Sequence, residues 1–115
     1  SIQGGFSAMK KILELECPPS AIFAANIMIC LGAMKAIQEA KLTIPQDFSL
    51  ICIHDVYFAD TLNPPLTTIR MPLYDMGMES VSKIVTLLES KENSTGVIIP
   101  DIQLMDRHSV KFLEL

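Results

Sequence analysis

Asn63 to Gly77 reads NPPLTTIRMPLYDMG, and this stretch decides the fold. Pro64-Pro65 forces an extended approach, because each proline fixes its own φ and biases the residue before it away from helix. Leu66 to Arg70 is rich in β-branched residues and predicts a short strand. Pro72 suits the first turn of a helix, where its missing N–H costs nothing. Gly77 falls early in that helix, where it costs about 1 kcal/mol relative to alanine unless close packing offsets the loss. A strand that runs straight into a helix through a proline is a crossover element of the kind that joins two lobes.

Working outward, Gln3 to Leu15 is amphipathic, with Phe6, Met9, Ile12 and Leu13 on one side and lysines elsewhere. Cys17-Pro-Pro-Ser20 breaks it. Ala21 to Ala25 is all apolar and predicts a strand buried on both faces. Asn26 is an N-cap candidate for a helix over 27–40, which puts Cys30, Met34 and Ile37 on one face and Lys35, Gln38 and Glu39 on another. Phe48 to Ile53 predicts a second buried strand, followed by a loop over 54–63. Pro72 to Ser90 predicts the longest helix, with Leu73, Met76, Ser80, Ile84 and Leu87 facing inward. Lys91 to Thr95 reads as a polar turn. Gly96 to Pro100 and Ile102 to Arg107 read as strands, and 109–113 as a possible further one. The order predicts an α/β fold, a mostly parallel sheet flanked by helices. The first helix has no strand before it, so a strand is expected upstream and the chain reads as a piece of something larger.

At 115 residues, 50% of them hydrophobic and 19% charged, the chain has the apolar content of a folded domain. Its net charge of −4 argues against these residues gripping a nucleic-acid backbone. No signal peptide is legible. The most apolar stretch, Ala21 to Met34, falls short of the ~20 residues of a membrane span and contains Asn26. Cys17, Cys30 and Cys52 lack metal or redox spacing. Cys30 and Cys52 read as core hydrophobes, and free thiols point weakly to a reducing compartment.

In an open parallel sheet, ligands bind beyond the carboxyl ends of the strands. Two such ends are legible: Ala25-Asn26 and Ile53-His54-Asp55. Asn26 can act as a plain cap, or as a cap whose amide also meets a hydroxyl-bearing ligand. His54 beside Asp55 makes a poor acid/base dyad, since adjacent residues of an extended chain point apart. Asp55 reads instead as a partner of local backbone N–H groups. His108, the other histidine, falls in an Asp-Arg-His-Ser turn. No catalytic, metal or cofactor motif is present. Met71 and Leu73 read as core or as the apolar wall of a cleft. Tyr57, Phe58 and Leu62 form an apolar loop cluster, either tucked onto the sheet or part of a dimer contact.

AIFAAN (21–26), LGAMKAIQEAKLTIPQDFSLI (31–51), NPPLTTIRMPLYDMG (63–77) and IQLMDRHSV (102–110), with GGFSAMKKIL (4–13) before them, resemble the C-terminal half of the effector domain of lactose-repressor-family regulators. The resemblance implies a partial periplasmic-binding-protein-like fold, mainly its C-terminal lobe, with the helix at 72–90 belonging to the other lobe. It implies a small-molecule effector (a sugar, nucleoside or similar), no cofactor, a cytoplasmic homodimer, and operator DNA bound only through an N-terminal domain outside this chain. It implies ligand contacts at Asn26, His54, Met71 and Leu73. It implies a dimer contact at Leu31, Met34, Lys35, Tyr57 and Leu62, from the 31–40 helix and the 56–62 loop. A solute-binding protein of a transporter shares this fold and is the alternative. The chain departs from the family pattern at Ile27, where an acidic residue is usual. Cys52, Ile53, His54 and Asp55 stand where glycine, aromatic, Asp, Asp is usual, and Met71 where glutamine is common. The resulting pocket is less acidic and less polar than a typical sugar site. A half domain alone would also leave its sheet edge and the 72–90 helix short of partner surface.

Overall fold

The computed structural model describes residues 1–90 and 100–112. In order, the elements are α1 (Ile2–Leu13), β1 (Ala21–Ala24), α2 (Ile27–Glu39), β2 (Ser49–Ile53), β3 (Thr67–Arg70), α3 (Leu73–Ser90) and β4 (Gln103–Met105). The strands form one sheet ordered β1-β2-β3-β4. β1 pairs parallel to β2 from Ala21↔Ser49 to Ala24↔Cys52, and β2 pairs parallel to β3 from Ile51↔Thr67 to Ile53↔Ile69. The predicted α/β class and mostly parallel sheet are therefore observed. The chain divides into two compact units, Ser1–Arg70 with Leu104–Leu115, and Met71–Gln103.

The first unit is built around α1, α2 and the sheet. Met9, Ala33, Ala36, Ile37 and Phe48 form one buried cluster; Ala24, Cys30, Leu50, Cys52, Ala59 and Leu66 form another. The helix periodicity anticipated Met9, Cys30 and Ile37. It did not anticipate how closely α1 and α2 approach. A Cβ on Gly32 would lie 2.0 Å from the Ile2 carbonyl oxygen, and one on Gly5 would lie 2.1 Å from that of Ile29. The two glycines thus let the helix backbones touch, a packing role and not a conformational one, since neither has a positive φ.

β1 corrects one expectation. It was predicted to be buried on both faces, yet Phe23 is 58% exposed. The reason is position: β1 is an edge of the sheet, and an edge strand keeps one flank and part of its faces uncovered. β2, in the interior, is buried as predicted, with Leu50 and Cys52 fully so. Cys30 and Cys52 are buried free thiols and Cys17 is exposed. A hydrogen bond with Cys52, followed by burial, holds the Cys30 thiol protonated far above the ordinary range.

The C-terminal segment corrects another. Only 103–105 is a strand within the predicted 102–107, and 109–112 forms none. Ser109 sits instead between the starts of β2 and β3. Its Oγ donates to the Leu50 carbonyl at 2.6 Å and accepts from the Thr67 N–H at 2.7 Å, while its carbonyl accepts from the Leu50 N–H at 2.7 Å. Lys111 N–H donates to Ser49 Oγ at 3.2 Å, and Arg107 N–H donates to Thr67 Oγ1 at 2.9 Å. These bonds explain why Ser49, Thr67, Thr68 and Ser109 are tolerated in the core: each buried hydroxyl is paired.

In the second unit, α3 starts after Pro72, whose carbonyl accepts from the Met76 N–H at 3.0 Å. The predicted inward stripe is not buried here: Leu73 is 54%, Ile84 57% and Leu87 38% exposed. The residues predicted as a turn at 91–95 and as a strand at 96–99 lie outside the described residues. No helix among the described residues is long and apolar enough to cross a membrane.

Candidate effector site at the carboxyl end of the sheet

The carboxyl ends of the three parallel strands carry the polar groups of interest. Carrying the register past the strand ends sets Asn26 beside His54, and His54 beside Arg70. Asn26 is extended (φ −163°, ψ 167°) and caps α2, its Oδ1 accepting from the Ile29 N–H at 3.0 Å. The predicted cap is therefore formed. It uses the amide oxygen and leaves the Nδ2 donors without a partner among the described residues.

His54 follows β2 with φ 74°, in the left-handed region that few non-glycine residues adopt, histidine among the more tolerant of them. Its N–H still donates to the Ile69 carbonyl at 2.9 Å, so the bend falls immediately after the last ladder bond. Strain of this kind persists only when its surroundings hold it in place.

The next residue, Asp55, departs from the role expected of it. Its carboxylate does not bond local backbone N–H groups. It accepts from Thr68 Oγ1 at 2.6 Å, from Arg70 Nε at 3.0 Å and from Arg70 Nη2 at 2.5 Å, and pairs with Arg107 Nη1 at 2.9 Å. The Arg107 guanidinium also donates to Thr68 Oγ1 and to the Leu66 carbonyl. Burial of the Asp55 carboxyl opposes ionisation, but the bonds from Arg107, Thr68 and Arg70 outweigh it and lower its pKa to about 2. Asp55 is thus a fixed anion that ties the exit of β2 to β3 and to the C-terminal segment. Thr68, Arg70 and Arg107 carried no local signal, because their common partner lies far away in sequence.

Met71 and Leu73 fall in the second unit. Met71 is half-buried and its carbonyl accepts from the Leu73 N–H at 2.9 Å; the Leu73 side chain is exposed. Asn26 and His54 thus follow the carboxyl ends of neighbouring strands, while Met71 and Leu73 belong to the second unit. Among the described residues, no group of three or more His, Cys, Asp or Glu side chains could hold a metal ion.

Comparison with known proteins accounts for this arrangement. The family model for the periplasmic binding protein-like domain matches residues 2–110. The lactose operon repressor of Rhizobium radiobacter is 38% identical over 84% of this chain and 85% of its own length. The chain belongs to the lactose-repressor family. The "Probable HTH-type transcriptional repressor ExuR" of Bacillus subtilis (strain 168) is 32% identical over 97% of this chain, which spans only 34% of that protein. Among solved structures, a LacI family transcriptional regulator from Enterococcus faecalis V583, with bound ribose, superposes with a TM-score of 0.84 at 30% identity. That match covers 99% of this chain and 42% of the regulator. The periplasmic-binding-protein-like fold expected from the resemblance is thereby shown, as is membership of this repressor family.

Proposed function

We propose that these residues are the effector-sensing part of a DNA-binding transcriptional regulator. A small polar molecule (a sugar, nucleoside or similar) binds at the carboxyl end of the sheet and closes two lobes, and closure changes operator binding. The observation that carries this reading is the position of Asn26 and His54 just beyond the carboxyl ends of the adjacent parallel strands β1 and β2, where open sheets hold ligands. Relatives named as transcriptional repressors and a structural neighbour holding ribose support it. Asn26 offers free amide donors, and His54 brings the two ring nitrogens of an imidazole, a set suited to hydroxyls. The effector shifts the equilibrium only by its differential affinity for the open and closed states. Operator contact falls to sequence outside these residues, consistent with their net charge of −4. The setting is the cytoplasm, where the exposed Cys17 remains a thiol.

Asn26→Ala combined with His54→Ala in the full-length regulator is expected to weaken effector binding about a hundredfold, each lost hydrogen bond contributing about tenfold. Calorimetric titration reads this directly. Unchanged affinity in the double variant would remove both residues from the site.

The regulator acts as a homodimer through the outer face of α2. Leu31, Met34, Lys35 and Leu62 line one groove of about 420 Å³, together with Ile37 and Pro64. Tyr57 stands 95% exposed, edge-on to Phe58 at 5.1 Å, so the loop presents an aromatic instead of tucking it onto the sheet. Met34→Asp places a charge in this groove and is expected to shift the full-length protein from dimer to monomer in analytical ultracentrifugation. A variant that sediments as the wild type would place the interface elsewhere.

A further inference from the structure

We propose that the effector carries an anionic group, a carboxylate or a phosphate, and that Arg70 receives it. This rests on the sensing reading above and assigns the chemical class of the ligand. Arg70 closes β3 in the same row as Asn26 and His54. Its side chain is 49% exposed although it is held at two points by Asp55. A guanidinium has five N–H donors in a fixed fork. Nε and one Nη2 donor face Asp55, and the other three have no partner among the described residues.

Charge decides what those donors are for. Among the described residues, Asp55 is the only carboxylate paired with Arg70 and Arg107, and its side chain is 5% exposed. Arg107, 16% exposed and also bonded to the Leu66 carbonyl and Thr68, is the more buried of its two cations. One carboxylate against two guanidiniums leaves the cluster of Asp55, Arg70 and Arg107 one net positive charge, and the exposed part of that charge is on Arg70. The other two members of the row, an amide and an imidazole, bring no carboxylate that would repel an anion. Asp55 also immobilises the fork before any ligand arrives, so less side-chain entropy is lost on binding. Planar, bidentate recognition of a carboxylate or phosphate is the chemistry that arginine performs better than lysine.

The test is calorimetric titration of the full-length regulator with matched probes: glucose, glucuronate and glucose 6-phosphate, and ribose with ribose 5-phosphate. An anionic member is expected to bind ten- to a hundredfold tighter than its neutral partner, with affinity falling as salt is raised. The carboxylate and phosphate arms separate the two sources of charge. Arg70→Met is expected to abolish that advantage while leaving thermal stability near wild type, because Asp55 keeps Arg107 and Thr68. Arg70→Lys should restore part of it. Neutral probes binding as tightly as anionic ones, or Arg70→Met weakening both members of a pair equally, would overturn the inference and leave the sensing reading intact. Failure of all probes to bind would count against both.

Discussion

Gly32→Ala is expected to destabilise the protein by about 3 kcal/mol or more, the top of the range for overpacked cores. The added Cβ would stand 2.0 Å from the Ile2 carbonyl oxygen and 2.5 Å from the Phe6 nitrogen. Both are backbone atoms of α1, so no side-chain rotation can make room. The helix itself must shift, and with it Met9, which is 1% exposed in the cluster that α1 shares with α2. Gly77→Ala is the contrasting control. Among the described residues nothing lies within 4 Å of its ideal Cβ, so no packing there justifies a glycine inside α3. That substitution is expected to stabilise by about 1 kcal/mol through helix propensity alone. Urea denaturation of both variants separates the effects. A Gly32→Ala variant within about 0.5 kcal/mol of wild type would show that the two helices do not rely on backbone contact.

The same glycines show where sequence reading stops. Alternation of apolar runs with amphipathic segments was enough for the α/β order, because a strand or a helix announces itself within a few residues. Asn26 was legible as a cap for the same reason: cap and capped N–H are three residues apart. Gly5 and Gly32 carry no such local mark, since the atoms that forbid a side chain belong to another helix. β1 was misjudged because an apolar run reports what a strand can bury, not whether it lies at the sheet edge. Local sequence predicts a turn at Ser109 and a strand end at Arg107. Their partners, Leu50, Thr67 and Asp55, lie roughly forty to sixty residues earlier, beyond any periodicity. In the candidate site, the residues on strand ends were legible, but the ion cluster that positions one of them was not.

That cluster yields the second large effect. Asp55→Asn is expected to cost about 3 kcal/mol, because it strands the Arg107 charge in a half-buried setting while keeping the side chain's shape. The two arginines should not contribute equally. Arg107, at 16% exposure, sits where solvent screens poorly; Arg70, at 49%, sits where it screens well. In double-mutant cycles, the 55/107 coupling is expected to exceed about 2 kcal/mol and the 55/70 coupling to stay below about 1 kcal/mol. Equal couplings would refute this division of labour, and with it the idea that Arg70 is the cation left over for a ligand. Acid adds an independent check. The folded-state pKa of Asp55, about 2, lies below its ordinary 3.8. An ionised Asp55 therefore stabilises the fold above about pH 4, and the contribution, about 2 kcal/mol, is lost as pH falls towards 2. Asp55→Asn has no such carboxylate to protonate, so its stability should fall less steeply across that window. Because Asp55 directly follows the strained His54 and fixes the chain there, the variant should weaken effector binding even at neutral pH, where the fold survives. If acid profiles and effector affinity both matched wild type, Asp55 would be a bystander to the bend at His54.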